Sequence, residues 1–189
     1  MKRKCLQKFQ IKDVVFLAIM SAVALATCAV MPLVISLQPL IFGISQLVTA
    51  LQIGVFFAIG LYKVRKPGSL LLMALMMGLI QLMMSPPMFL SSVLNGVLIE
   101  LIVLLLFRGY EKDAAVFVAA MLHTPLSLPF NYLYNRLIKG ADSPLAAVAD
   151  RAPLAAVGMT LAVVAVSALG ALIGIKIARE LKKSGVLKK

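Results

Sequence analysis

Two ionisable side chains interrupt long apolar runs in this sequence. Glu100 lies in "VLNGVLIELIVLLLF", residues 93–107, and His123 opens "HTPLSLPFNYLYN", residues 123–135. A carboxylate at the centre of a membrane-length apolar helix costs about 2.5–3.5 kcal/mol, so its retention points to a use. Glu100 could hydrogen-bond a cationic or donor-rich ligand directly. Alternatively, protonated, it could bond His123 or Asn95 and fix the floor of a pocket. Neutral polar side chains accompany the pair along the same runs: Gln46, Gln52, Gln81, Asn95, Asn131 and Tyr132. Together these eight residues form a candidate substrate-binding set. They do not form a catalytic one. The sequence holds one His, no HExxH, no GxSxG, no paired acidic motif and no P-loop, so neither catalysis nor a metal or cofactor is expected. Any ATP-driven role must take its energy from another chain. Cys5 and Cys28 are too few for a disulfide framework and are expected to be free thiols.

The elements that position these residues must be membrane helices. Of the 189 residues 62% are hydrophobic, with a mean hydropathy of +1.02. A soluble domain holds roughly 45–50% apolar residues. The net charge of +12 suggests nucleic acid only until the basic residues are located, because they cluster between the apolar runs. Six spans are expected, at about 13–33, 45–63, 69–86, 90–108, 114–135 and 153–176, each close to the ~20 residues that cross a bilayer as a helix. They form one all-α membrane domain over residues 1–189. The start "MKRKCLQK" with "LATC" mimics a lipoprotein signal, but Thr27 before the cysteine argues against cleavage.

Sixteen of the nineteen Lys and Arg residues fall in the N-terminus, in "YKVRKPG", in "FRGYEKD" and in the C-terminal tail. The alternate connections are uncharged or mixed. The positive-inside rule then places both termini in the cytoplasm. With that orientation the intramembrane polar residues crowd the outer halves of the spans. This predicts a ligand pocket open on the extracellular side and closed toward the cytoplasm, with Glu100 and His123 near its floor. Residues 33–44 are expected to fold back over it as a lid. Pro125 and Pro129 should kink or unwind the outer half of the fifth span. Ala18, Ala22 and Ala26 recur every four residues and make a stripe on which another helix can approach closely. Gly170, Gly174 and Ala178 make a similar stripe on the last span, and internal packing would explain either.

The chain resembles the substrate-binding S components of energy-coupling factor (ECF) transporters, and most closely their YkoE-like group. The resemblance rests on "RKPG" at 65–68, on "NG" at 95–96 followed by Glu100, on the Ala18, Ala22, Ala26 stripe, and on size, span number and internal termini. It implies a bundle whose outward pocket is capped by the loop after the first helix. It also implies docking, through those alanines, to a transmembrane T component carrying two ATPase subunits. The expected ligand is a vitamin or vitamin precursor, thiamine-like or hydroxymethylpyrimidine-like first and a tetrapyrrole second. The expected location is a bacterial or archaeal cell membrane. After "RKPG" the chain reads "SLLLMALMM", without the acidic residue expected of that group. The alternative is a stand-alone secondary transporter of a small organic molecule, with Glu100 and His123 as its titratable relay.

Overall fold

A computed structural model describes residues 8–28, 33–34, 36–140 and 143–186. Among the described residues the regular structure is helical throughout, in seven elements: α1 Ile11–Thr27, α2 Ile44–Val64, α3 Ser69–Leu82, α4 Pro86–Phe107, α5 Asp113–Leu137, α6 Pro144–Arg151 and α7 Pro153–Lys183. The starts follow local chemistry. Prolines open α4, α6 and α7, where their missing N–H has no partner to lose. Gly43 and Gly68 precede α2 and α3 at φ of 74° and 89°, a left-handed turn that a β-carbon would strain.

Four of these helices, α2, α4, α5 and α7, are long and apolar enough to cross a membrane. The others revise the expected spans. α1 ends at Thr27 rather than at residue 33; residues 29–32 lie outside the described set. α3 has 14 residues, a rise of about 21 Å against a hydrocarbon core of about 30 Å. It stops at Leu82 because the next helix begins at Pro86, four residues before the expected 90. The mixed-charge connection contains a short helix, α6. α5 remains helical through both Pro125 and Pro129 and is not unwound.

The helices close into a ring in the order α1, α2, α7, α5, α4, α3, with α2 also packing across it against α5. The core runs through Leu17, Phe57, Met73, Ile99, Val116 and Ala171. Hydroxyls tie neighbouring helices by bonding backbone carbonyls: Ser92 Oγ donates to Ala74 O at 2.9 Å and Ser167 Oγ to Met121 O at 2.7 Å. α2 and α7 touch backbone to backbone. A β-carbon on Gly170 would lie 2.5 Å from Leu51 O, and one on Gly174 2.5 Å from Val55 O. The stripe on the last helix is therefore internal packing. Replacing Gly174 with Leu is expected to destabilise the fold by about 1–3 kcal/mol or abolish it; thermal unfolding in detergent measures the loss, and an unchanged midpoint would refute this packing. The α1 stripe differs: Ala18 is half-buried, and Ala22 and Ala26 are exposed beside Val15 and Ile19.

The end of the bundle that carries "RKPG" is knotted by charge. Asp113 at the start of α5 pairs with Arg65 after α2 and, at 2.7 Å, with Arg179 on α7. Lys66 reaches Asp13 of α1 at 2.6 Å. Glu100 belongs to this end. Its Oε1 accepts the Gly68 N–H at 2.6 Å, and its Oε2 accepts the Leu71 N–H at 3.4 Å and the Tyr110 hydroxyl at 2.9 Å. A carboxylate thus meets the unpaired N–H groups at the start of α3, where the helix dipole favours negative charge. Burial, and Glu100 beside it, push the Tyr110 hydroxyl well above its ordinary range and keep it a donor.

Candidate ligand-binding cavity

At the opposite end the helices separate around a cavity of about 690 Å³. Gly43 starts α2 after the chain turn at 36–40, which sets Ser45, Thr49 and Ile53 on one face at intervals of four, with Gln46 beside them. α3 contributes Met77 and Gln81. α4 contributes Ser91, Ser92 and Asn95, and α5 contributes His123, Ser127, Asn131 and Asn135 at strict intervals of four, with Thr124 beside them. Gln38, Pro39, Lys139 and Ser143 stand at the mouth. Part of the expected lid, residues 35 and 29–32 before it, lies outside the described residues; its Gln38 and Pro39 do line the cavity.

Five of the eight residues singled out by sequence meet here: Gln46, Gln81, Asn95, His123 and Asn131. Glu100 does not. It lies five residues beyond Asn95, about 140° around the helix, and its oxygens are taken up by Gly68, Leu71 and Tyr110. It neither fixes the cavity floor nor bonds His123 or Asn95. Gln52 lies off the Gln46–Thr49–Ile53 face and outside the lining. Tyr132 turns away to donate its hydroxyl to Asp150 at 2.7 Å. Sequence reasoning missed Thr124, Asn135 and Lys139. The four-residue series from His123 through Asn131 extends to Asn135 and could have found it.

The polar groups divide by depth. Those near the mouth satisfy one another: Ser45 Oγ donates to Gln46 Oε1 at 2.8 Å and Ser143 Oγ to Asn135 Oδ1 at 2.9 Å. Those at the inner end do not. Asn95 is 1% exposed, with neither its amide nitrogen nor its oxygen bonded; both ring nitrogens of buried His123 and the hydroxyl of buried Thr124 also lack partners. Phe57 packs against the imidazole with ring centroids 4.5 Å apart, fixing its plane. Buried polar groups are almost always bonded, and an unbonded one costs about 1–3 kcal/mol. Three residues that share one cavity and leave their polar atoms unpaired form a surface that a ligand can complete. No carboxylate lines the cavity among the described residues.

A family of membrane proteins, described as "Hypothetical bacterial integral membrane protein (Trep_Strep)", matches residues 11–183. The chain belongs to that family. Four membrane-length apolar helices make this Trep_Strep protein a multi-pass one. No curated protein matches it in sequence. Among solved structures it is similar to one titled "Crystal structure of an S-component of ECF transporter", with a TM-score of 0.64 and 21% identity over 95% of this chain and 89% of that one. The Trep_Strep chain therefore shares the S-component fold.

Proposed function

We propose that the protein is the substrate-binding S component of an ECF-type importer, and not itself an enzyme. It captures a small heteroaromatic vitamin or vitamin precursor, and a T component with two ATPase subunits moves that ligand inward. The observation that carries this reading is the unpaired set Asn95, His123 and Thr124 inside a 690 Å³ cavity, a size usual for small-molecule sites. The basic residues at the other end support a bundle of six spans with cytoplasmic termini and the cavity facing out. A free side-chain amide offers a donor beside an acceptor, the pattern by which Asn pairs bidentately with an adenine edge. The aminopyrimidine edge of a hydroxymethylpyrimidine-like ligand, as in the YkoE-like group, presents the complementary pair. A tetrapyrrole, suited to Met77 and Met88 in the lining, comes second. The exposed alanines of α1 suit close docking of the T component.

The test has two arms. The tagged chain, purified from its own membranes, should bring down one further membrane subunit and two ATP-binding subunits, with a small molecule retained in native mass spectrometry. In liposomes the chain alone should bind that molecule without accumulating it. Gradient-driven accumulation by the chain alone would instead make it a secondary transporter and sink the proposal.

A further inference from the structure

We infer that the cavity selects an anionic ligand and that Lys139 at its mouth makes the selection. The inference rests on the cavity being a ligand site and specifies the charge that site accepts. Among the described residues every side chain lining the cavity is neutral except Lys139. Lys139 makes no ion pair with a described residue; its ammonium lies 5.8 Å over the ring of Tyr134, which also lines the cavity. The neighbouring cation, Arg136, is already compensated by Asp150. Asp142 lies outside the described residues. Glu100 is engaged at the far end of the bundle.

A positive charge with no ion-pair partner among the described residues, at the entrance of a low-dielectric cleft, gives that cleft a positive potential, which focuses anions into it. A cation entering would shed water with no carboxylate among the described lining residues to receive it. α5 ends at Leu137, fourteen positions past His123 and about 21 Å along the helix, and Lys139 follows just beyond that end. The lysine thus acts at the mouth while the amide and imidazole act at the inner end. A heteroaromatic ring bearing a carboxylate or phosphate suits both. A permanently cationic ring, such as the thiazolium of thiamine, does not.

Cys28 is a free thiol in the cavity lining and reports this potential without any knowledge of the ligand. The experiment uses the full chain carrying Cys5→Ser in phosphatidylcholine nanodiscs. Three methanethiosulfonates of similar size, anionic, cationic and neutral, are compared, each rate normalised to its reaction with a free thiol. The anionic reagent should modify Cys28 about tenfold faster than the cationic one, at the low end of electrostatic steering. The preference should shrink in high salt, vanish in Lys139→Gln and reverse in Lys139→Glu. Equal or faster reaction of the cationic reagent, or a preference unchanged by Lys139→Gln, overturns the inference while leaving the proposed function standing. A cysteine at position 127 (Ser127→Cys in a Cys5→Ser, Cys28→Ser chain) provides a second reporter. Failure of all three reagents at both positions would mean no solvent-connected cavity, and would sink both readings.

Discussion

Replacing Glu100 with Ala is expected to cost about 3–5 kcal/mol of stability, more than any substitution in the cavity. The carboxylate accepts from Gly68, Leu71 and Tyr110, and a hydrogen bond to a charged group contributes about 1.5–3 kcal/mol. Removing it also strands a fully buried tyrosine hydroxyl and the first N–H groups of α3, each carrying a desolvation penalty. Glu100→Gln should lose less, because one oxygen remains to accept the Gly68 N–H. Tyr110→Phe should lose about 1.5–3 kcal/mol, one hydrogen bond to a charged group. Thermal unfolding of the ligand-free protein measures all three. Ligand affinity of whatever remains folded should be unchanged. If Glu100→Ala unfolds at the wild-type temperature and abolishes binding, Glu100 is a ligand contact and its assignment to the base of α3 is wrong.

That assignment marks where the sequence stopped being informative. The apolar runs and basic connections dictated membrane helices and separated the two ends of the bundle, because length, hydropathy and charge are properties of single segments. The polar bias toward one end was legible for the same reason, and it located the cavity. Which way Glu100 points was not. It depends on the turn "RKPG" bringing the Gly68 N–H to a neighbouring helix, a contact 32 residues away in sequence. Two of the features carrying the resemblance, "RKPG" and Glu100, prove to be two halves of one hydrogen-bonded unit. Similarly, nothing in the alanine and glycine stripes distinguishes them. Only the approach of Leu51 and Val55 to Gly170 and Gly174 turns one inward, while Ala22 and Ala26 stay exposed. The helix α6 was hidden for a different reason: with 8 residues it is too short for periodicity to reveal.

Asn95→Leu is expected to separate binding from stability in the opposite sense to Glu100→Ala. Leu has nearly the shape of Asn and no polar atoms. In the ligand-free fold neither amide atom of Asn95 has a partner, so the substitution relieves a desolvation cost rather than breaking a bond. The unfolding temperature without ligand should therefore hold or rise. Binding should fall by about 10- to 100-fold, since a bidentate amide contact contributes about 1–3 kcal/mol of recognition. The thermal stabilisation that saturating ligand gives the wild type should shrink accordingly, because it scales with the logarithm of ligand concentration over Kd. His123→Leu should act in the same direction, though loss of the imidazole packed on Phe57 lets the aliphatic side chain settle differently. Isothermal titration with the ligand recovered from native membranes supplies the affinity, and calorimetry of the empty protein supplies the stability. A marked fall in the empty protein's unfolding temperature would show that Asn95 bonds within the fold. Unchanged affinity would show that its amide never meets the ligand. A site kept at the expense of the fold's own stability is expected to show neither, and that opposition between the two measurements is what separates a ligand contact from a structural polar residue.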